Sequence, residues 1–273
     1  MKNVTFSVAV TTELLGDSAV VPLQGDLETS MKTASELGFD AVEYHLRNPE
    51  SIDRRALKAL TEKWNIGISA IATGLEYSLN GNFFTSPDPA VRKRTLEKFR
   101  GYVDLAAEFG APVFLGLCRG KAPSFAEREK YLDLFVQEIL PLVSYARDKN
   151  VVLALEPIAF YYTNLLNKTV ETLDFIALKK LDGMQLLLDT HHMFIEDPSV
   201  EEAFRLSAGM TAHVHISDSD RRYPGSGLID YGAVGRVLKE TCYKGAVSVE
   251  ILPYPSGIQA ARYSIQWMRS VWG

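Results

Sequence analysis

The chain has 273 residues, of which 47% are hydrophobic and 23% charged, and its formal net charge is -5. This composition is typical of a globular protein with a large core, and the negative charge argues against nucleic-acid binding. The two cysteines, Cys118 and Cys242, are too few for a disulfide framework. Because the sequence shows neither a signal-peptide h-region nor an apolar run of roughly 18 residues, we expect a cytoplasmic protein without a membrane anchor.

Short apolar runs alternate with amphipathic segments along the whole chain, which predicts eight strand–helix units. The predicted strands are Val4–Val10, Ala41–Leu46, Ile66–Ala72, Ala111–Leu117, Val151–Glu156, Met184–Asp189, Thr211–Ile216 and Gly245–Ile251. Strands five, six and eight are apolar at both odd and even positions, as expected of parallel strands buried on both faces. This pattern favours an α/β fold with one (β/α)8 TIM barrel, spanning residues 1–273 as a single domain, over a doubly wound sheet.

Capping residues and prolines mark several of the predicted helices. Asp26 is placed to cap the first helix and Gly38 to end it, while Pro89 opens a long helix. The other helices are predicted at about Asp53–Trp64, Phe125–Lys149, Val170–Leu181, Val200–Leu206, Tyr231–Thr241 and Gly257–Val271. Pro141 is expected to kink the helix that contains it. Residues 73–88 form the longest irregular stretch, which is either a functional lid or a packed surface loop.

Four consecutive predicted strands end in a residue that can bind a divalent metal: Glu156, Asp189, His215 and Glu250. Active sites of such barrels lie at the carboxyl ends of the strands, and neighbouring parallel strands are about 4.8 Å apart. The four side chains can therefore converge on one ion. A single carboxylate at a strand end often only caps the next helix, but four ligands in succession predict a metal site. Three carboxylates and one imidazole suit Mn²⁺, Mg²⁺ or Co²⁺, and Zn²⁺ is also compatible.

The other histidines of this region receive different interpretations. His213 shares a strand face with His215, because side chains repeat every second residue, and is expected in the core or behind the metal ligands. His191 and His192 are neighbours and should point in different directions. One of the two is therefore expected to be a packing or surface residue.

Several charged residues at other strand ends leave alternatives open. Arg119 and Lys121 follow strand four and either bind an anionic substrate group or are solvated loop charges. Glu43 and His45 end strand two and either support the site or contact substrate. The segment GLCRGK lacks the length and the Lys-Ser/Thr ending of a phosphate-binding loop, so we infer no nucleotide site.

Five motifs match a known family in order and spacing. They are LEP at Leu155–Pro157, DTHHM at Asp189–Met193, HVHISDSDR at His213–Arg221, PGSGLID at Pro224–Asp230 and SVE at Ser248–Glu250. The segments GFDAVE and GLCRGK are similar as well, so the likeness covers nearly the whole chain. In these motifs the chain resembles the xylose isomerase-like TIM barrel family, and within it the branch of the D-tagatose and D-psicose 3-epimerases.

The resemblance implies a metal-dependent epimerase or isomerase of a ketose or sugar-like substrate. Glu156, Asp189, His215 and Glu250 would bind one divalent ion, with Mn²⁺ the first choice. Glu156 and Glu250 would also be the catalytic pair, one removing a proton beside the ketone and the other returning one from the opposite face. The metal would stabilise the enediolate, because a C–H beside a ketone is too weakly acidic for an unaided carboxylate.

Two further residues acquire roles from the same resemblance. His192 matches the histidine that contacts a substrate oxygen near the metal, which leaves His191 as the packing or surface residue. Arg221 matches the arginine that holds the carboxylate of Glu250 and helps to bind substrate. The family also implies a homodimer or homotetramer.

One segment departs from the family pattern. Where the epimerases often read close to EPLNRYET, this chain reads EPIAFYYT, with Ala159, Phe160 and Tyr162 in place of Asn, Arg and Glu. That Glu normally holds substrate hydroxyls. Tyr162 therefore predicts a less polar or differently shaped pocket, and a larger, aromatic or otherwise modified sugar-like substrate.

Three alternative functions compete with this hypothesis. A lyase or dehydratase, such as an inosose dehydratase or a lyase of oxidised sugars, would use the same metal site but expel a leaving group. A nuclease would need a multinuclear zinc site, for which the five histidines of the chain are too few, and a basic face. A non-catalytic barrel would be expected to lack the metal ligands, and all four are present.

Overall fold

The structure is a computed structural model that describes residues 4–273. Eight parallel strands form its centre: β1 (Thr5–Thr11), β2 (Ala41–His45), β3 (Gly67–Ala72), β4 (Val113–Leu115), β5 (Leu153–Leu155), β6 (Met184–Asp189), β7 (Thr211–Ile216) and β8 (Ala246–Val249). Each strand pairs with the next, and β1 also pairs with β8, so the sheet closes. The predicted (β/α)8 TIM barrel is confirmed. A two-residue strand, Leu23–Gln24, adds to β1.

Ten α-helices occur in residues 4–273, most of them on the outside of the barrel. They are α1 (Leu27–Leu37), α2 (Arg54–Trp64), α3 (Gly74–Ser78), α4 (Pro89–Phe109), α5 (Arg128–Asp148), α6 (Thr169–Leu178), α7 (Thr190–Glu196), α8 (Val200–Leu206), α9 (Tyr231–Glu240) and α10 (Gly257–Trp272). Within the described residues, no helix is both long and apolar enough to cross a membrane.

The predicted helix signals act as expected. The side chain of Asp26 accepts a hydrogen bond from the backbone of Thr29 at the start of α1. Gly38 ends that helix at φ 95°, in the left-handed region that favours glycine. Pro89 is the first residue of α4, where its missing N–H costs no hydrogen bond.

Three local predictions need correction. The stretch 73–88 is not wholly irregular, because it contains α3, and Phe84 within it is fully buried against Phe99. It is thus packed against the core, and its first residues also line a cavity. Helix α7, which the sequence did not predict, begins directly after β6. Helix α5 begins at Arg128, after a short 3-10 turn at Phe125–Glu127, and contains Pro141.

The barrel interior has an apolar floor beneath a polar layer. Ala70, Ala154, Leu187 and Phe114 are buried in the floor. The Phe114 ring also contacts the imidazoles of His213 and His215 edge-on, with ring centroids 4.8 and 5.2 Å away. The carboxyl ends of the strands thus carry polar side chains supported from below by tightly packed apolar residues, which restricts their movement.

Candidate active site

The structure brings the four predicted metal ligands together at the carboxyl end of the barrel. Atom Nδ1 of His215 lies 3.4 Å from a carboxylate oxygen of Glu250, 3.9 Å from one of Asp189 and 4.0 Å from one of Glu156. Glu156, Asp189 and His215 each offer a ligand atom within 4.8 Å of the others. Ligands at about 2.0–2.2 Å from an ion are about 3–4 Å apart, so this arrangement can hold one cation.

The two carboxylate oxygens of Asp189 have different partners. Oδ1 accepts a hydrogen bond from the backbone of His191 at 2.8 Å and so caps α7. Oδ2 faces His215 and the guanidinium of Arg221. Asp189 therefore both caps a helix and contributes to the ligand cluster, two roles that the sequence left as alternatives.

A buried carboxylate, Glu43, holds the imidazole of His215 from the other side. Glu43 is fully buried and lies 2.8 Å from Nε2 of His215, 2.9 Å from Nε2 of His213 and 2.6 Å from Nε2 of His45. These contacts direct Nδ1 of His215 towards the carboxylates, and among residues 4–273 it has no well-formed hydrogen bond. A buried nitrogen without a partner, aimed at three carboxylates, fits a metal ligand.

Glu43 resolves an alternative that the sequence left open. It supports the site rather than contacting substrate, because it is enclosed by three imidazoles. His45 lies at the edge of the same cluster, lines the cavity above it and is 4.0 Å from Glu250. His213 lies in the core behind the ligands, as expected. The sequence placed Glu43 at a strand end, but its partners are up to 172 residues away along the chain.

Arg221 joins two of the carboxylates. Its guanidinium donates to Asp189, to Ser217 at 2.7 Å and to Glu250 at 2.6 Å. The residue has φ 63°, an uncommon conformation for a side chain other than glycine, and its backbone is held by hydrogen bonds to Asp218 and Leu252. This rigid turn aims the guanidinium between the strands β6 and β8.

Burial and charge separate the acidities of the carboxyl groups. Burial, reinforced by the neighbouring charges of Glu250 and Asp189, raises the pKa of Glu156 to about 8. Burial also disfavours the charged form of Asp189, but Arg221 outweighs it and holds the pKa of Asp189 well below its usual value. For Glu250 the same opposition, with His215 and Arg221 on the favourable side, leaves the pKa lowered. One carboxyl of the cluster thus keeps its proton near neutral pH.

The two neighbouring histidines point in different directions, as expected. Nε2 of His192 lies 3.9 Å from both Glu156 and Asp189, within the site, and burial lowers the pKa of this imidazole to about 3. His191 is a packing residue and is not on the surface. Its ring contacts the hydroxyl of Tyr161 at 2.9 Å and the backbone carbonyl of Asp218 at 3.1 Å.

Both interpretations of Arg119 were wrong. Its side chain is fully buried and is neither a solvated loop charge nor an anion-binding group. The guanidinium donates to the backbone carbonyls of Gly116, Glu156, Leu165 and Leu166. Arg119 therefore fastens the loop after β5 to the loop after β4, and so fixes the backbone that carries Glu156.

Gly116 lets Glu156 enter the site. A Cβ atom at this position would lie 2.6 Å from Oε2 of Glu156 and 3.3 Å from Cδ1 of Ile158. Any other residue would displace the carboxylate, so the close approach requires glycine.

A cavity of about 370 Å³ opens above the cluster. Its base is polar and includes Glu156, His192, His215, Arg221 and Glu250. Its mouth is mainly apolar and includes Leu15, Val20, Leu79 and Tyr162. The volume lies within the range of small-molecule sites, and the apolar rim agrees with the less polar pocket predicted from Tyr162.

Comparison with known proteins shows the family to which the chain belongs. The sequence profile of the xylose isomerase-like TIM barrel matches residues 31–271. The chain belongs to this family. Its predicted place among the ketose 3-epimerases within the family is also confirmed. L-ribulose 3-epimerase of Methylomonas sp. (strain DH-1) is 30% identical over 220 residues, which cover 80% of this chain and 75% of that enzyme.

A second enzyme and a solved structure are also similar to this xylose isomerase-like barrel. The 3-dehydro-D-guloside 4-epimerase of Escherichia coli (strain K12) is 31% identical over 130 residues, which are 47% of this chain and 50% of that enzyme. The crystal structure of D-allulose 3-epimerase from Methylomonas sp. in complex with D-allulose superposes with a TM-score of 0.81 at 22% identity, covering 98% of this chain and 97% of that one. At that identity the superposition shows the shared fold.

The raised pKa of Glu156 makes stability depend on pH in protein treated with a chelator. Above about pH 7.5 the glutamates and histidines of the unfolded chain have lost their protons, since their ordinary pKa values are about 4.3 and 6.5. Folded Glu156 keeps its proton until about pH 8. The folded state then binds more protons than the unfolded state, and stability falls as pH rises.

We therefore expect wild-type protein to lose on the order of 1 kcal/mol more folding free energy between about pH 7.5 and 9 than Glu156→Gln, whose amide cannot ionise. Urea unfolding curves at the two pH values measure the difference. Equal losses in both proteins would contradict the raised pKa.

Proposed function

We propose that the chain is an isomerase that epimerises or isomerises a ketose or sugar-like substrate with a divalent metal, through an enediolate. One observation carries the proposal. The carboxylates of Glu156 and Glu250, directly after strands β5 and β8, line one cavity together with His215, and Asp189 lies 3.9 Å from the same imidazole. The relationship to L-ribulose and D-allulose 3-epimerases supports the same reaction class.

The residues present fit a divalent ion. Glu156, Asp189, His215 and Glu250 would hold it, and Nδ1 of His215, which has no well-formed hydrogen bond among residues 4–273, is the clearest candidate ligand atom. Three carboxylates and one imidazole suit Mn²⁺, which we propose as the metal, while Mg²⁺, Co²⁺ and Zn²⁺ also tolerate such ligands. When bound, the ion would polarise the ketone and acidify the neighbouring C–H.

The chain's own residues would then move the proton. One carboxylate of the pair Glu156 and Glu250 removes it, and the other returns a proton from the opposite face, which inverts the carbon. Arg221 holds Glu250 in position. His192 lines the base of the cavity and is placed to hydrogen-bond a substrate oxygen. The apolar mouth limits access of water to the reacting carbon.

Elimination by a lyase or dehydratase remains the alternative, since it shares the first proton removal. Tyr162 favours elimination, because it replaces the glutamate that usually holds substrate hydroxyls. The homodimeric or homotetrameric state stays a prediction, because the structure contains one chain.

Proton exchange with solvent tests the proposed function. Incubation of the protein with Mn²⁺ and a panel of ketoses and sugar derivatives in D₂O should give an epimer or aldose that carries deuterium at the reacting carbon, detected by NMR. Glu250→Gln should reduce the rate by at least about 100-fold, since it removes one of two proton-transfer groups. Glu129→Gln, an exposed glutamate on α5, serves as the control.

Full turnover by Glu250→Gln would exclude the proposed acid/base pair. A product that has lost water or been cleaved, without a deuterated epimer, would assign the chain to the alternative lyase or dehydratase class.

Glu43→Gln should weaken Mn²⁺ binding about 10- to 100-fold, because a neutral amide holds the imidazole of His215 less firmly than a carboxylate does. Isothermal titration calorimetry measures the affinity without any substrate. The matched control is Glu76→Gln, which changes an equally buried glutamate whose partners are Asn80, Asn82 and Tyr102. If both variants bound Mn²⁺ as tightly as wild type, Glu43 would not position the ligand.

A further inference from the structure

A second groove lies beside the catalytic cavity. We call it the aromatic groove, and its volume is about 480 Å³. Among the described residues that line it, six of thirteen are aromatic: Tyr77, Phe83, Tyr131, Phe160, Tyr161 and Tyr162. Its size is within the range of small-molecule sites, but none of the proposed catalytic or metal-binding residues lines it.

Tyr162 belongs to both the catalytic cavity and the aromatic groove. Its ring lies against the imidazole of His192, with centroids 5.9 Å apart, and against the ring of Tyr161 at 4.6 Å. The two spaces are therefore neighbours that share one wall. Tyr162 is 46% exposed, so the ring that separates the two spaces is itself open to solvent.

The aromatic side chains are presented on a fixed backbone. The N–H of Phe160 donates to Glu196 at 2.6 Å, and the hydroxyl of Tyr161 contacts His191 at 2.9 Å, so both are tied to α7, the helix that carries His192. The N–H of Tyr162 donates to the carbonyl of Ala159. A preorganised loop loses little conformational freedom when a ligand binds.

The same three rings are open to solvent. Phe160 is 68% exposed, Tyr161 50% and Tyr162 46%. Three consecutive large aromatic residues at the mouth of a cavity form an exposed apolar patch of the kind that marks a binding site. Phe160 and Tyr162 stand where the family pattern often has Arg and Glu, whereas Tyr161 matches that pattern, so the difference concerns recognition and leaves the metal ligands intact.

The groove selects a neutral ring. Lys121 is the only charged residue among the described residues that line it. Flat aromatic faces bury large apolar areas against other rings, including the C–H face of a pyranose or an aryl group. A carboxylate or phosphate could pair only with this lysine, because the described part of the lining offers no second cation.

We propose that the aromatic groove binds the second ring of a two-ring substrate, in which a ketose or keto sugar carries a sugar or aryl substituent. This inference rests on the proposed function. The substituent must be attached where it leaves the ketone free, as at O4 or O6 of a ketohexose or at the anomeric oxygen of a 3-keto glycoside. Tyr162 then separates the reacting sugar in the cavity from the substituent in the groove.

Matched substrate pairs test the proposal. We would compare kcat/KM for D-fructose with that for its 4-O- and 6-O-glucosyl derivatives, and for 3-keto-glucose with that for its phenyl glycoside. At least one two-ring member should be preferred by wild-type protein. Phe160→Ala should lower the ratio of two-ring to one-ring kcat/KM on the order of 10-fold, mainly through KM, because it removes a face of the groove.

The control variant is Phe125→Ala. Phe125 is 78% exposed and lies outside the described residues that line the groove. Its removal should leave the ratio unchanged. A wild-type preference for the one-ring member of every pair, or a ratio that does not respond to Phe160→Ala, would overturn the proposal while leaving the proposed function intact.

A binding measurement keeps the test independent of turnover. 6-O-Glucosyl-sorbitol has no ketone and cannot react, so calorimetry can compare its affinity with that of sorbitol. The glucosyl compound should bind more tightly to wild type, and Phe160→Ala should remove that advantage. Equal affinities for the two sugar alcohols would overturn the proposed role of the groove, even if no substrate were turned over. Tight binding of the glucosyl compound without any deuterium exchange in the substrate panel would overturn only the proposed function.

A second copy of the chain could also cover such a surface, and the oligomeric state distinguishes this case from ligand binding. Light scattering on wild type and Phe160→Ala should give the same mass. If the variant dissociated a wild-type oligomer, the groove would be a subunit contact and the proposal would be wrong.

Discussion

The structure depends on an excess of buried negative charge at one end of the barrel. Glu43, Glu156, Asp189 and Glu250 are all buried, each with an oxygen within 4.0 Å of a ring nitrogen of His215, and the guanidinium of Arg221 contacts two of them. Buried carboxylates are tolerated only when paired, hydrogen-bonded, protonated or bound to a cation. The cluster uses several of these solutions: three imidazoles for Glu43, an arginine for Asp189 and Glu250, and a retained proton for Glu156.

The same constraint explains the division of the barrel into two zones. The strands supply chemistry, because their ends are fixed by the closed sheet and by the apolar floor around Phe114. The loops supply recognition, because they can vary without changing strand register. Glu156 and Tyr162 illustrate both zones within seven residues: the first directly follows β5, and the second lies farther along the same loop.

Much of the fold could be predicted from the sequence, because strands such as Met184–Asp189 and caps such as Asp26 follow from local pattern. The metal-ligand candidates could be predicted because an acid or imidazole at a strand end is locally conspicuous. Long-range partners could not. The position of Glu43 beneath His215 depends on the closure of the sheet, and Arg119 pairs with backbone carbonyls that carry no sequence signature. Helix α7 was missed because Thr190–Glu196 is short and follows its strand without a loop.

Arg119 has one consequence for how this barrel can change. Its hydrogen bonds to the loop after β5 go to main-chain oxygens, at Glu156, Leu165 and Leu166. Every amino acid has such an oxygen, so the anchor is indifferent to the side chains between its two ends. Residues 159–162 can therefore be exchanged for others, because Arg119 holds the backbone on both sides of this segment. New specificities can be selected or engineered there while the position of the catalytic carboxylate is inherited unchanged.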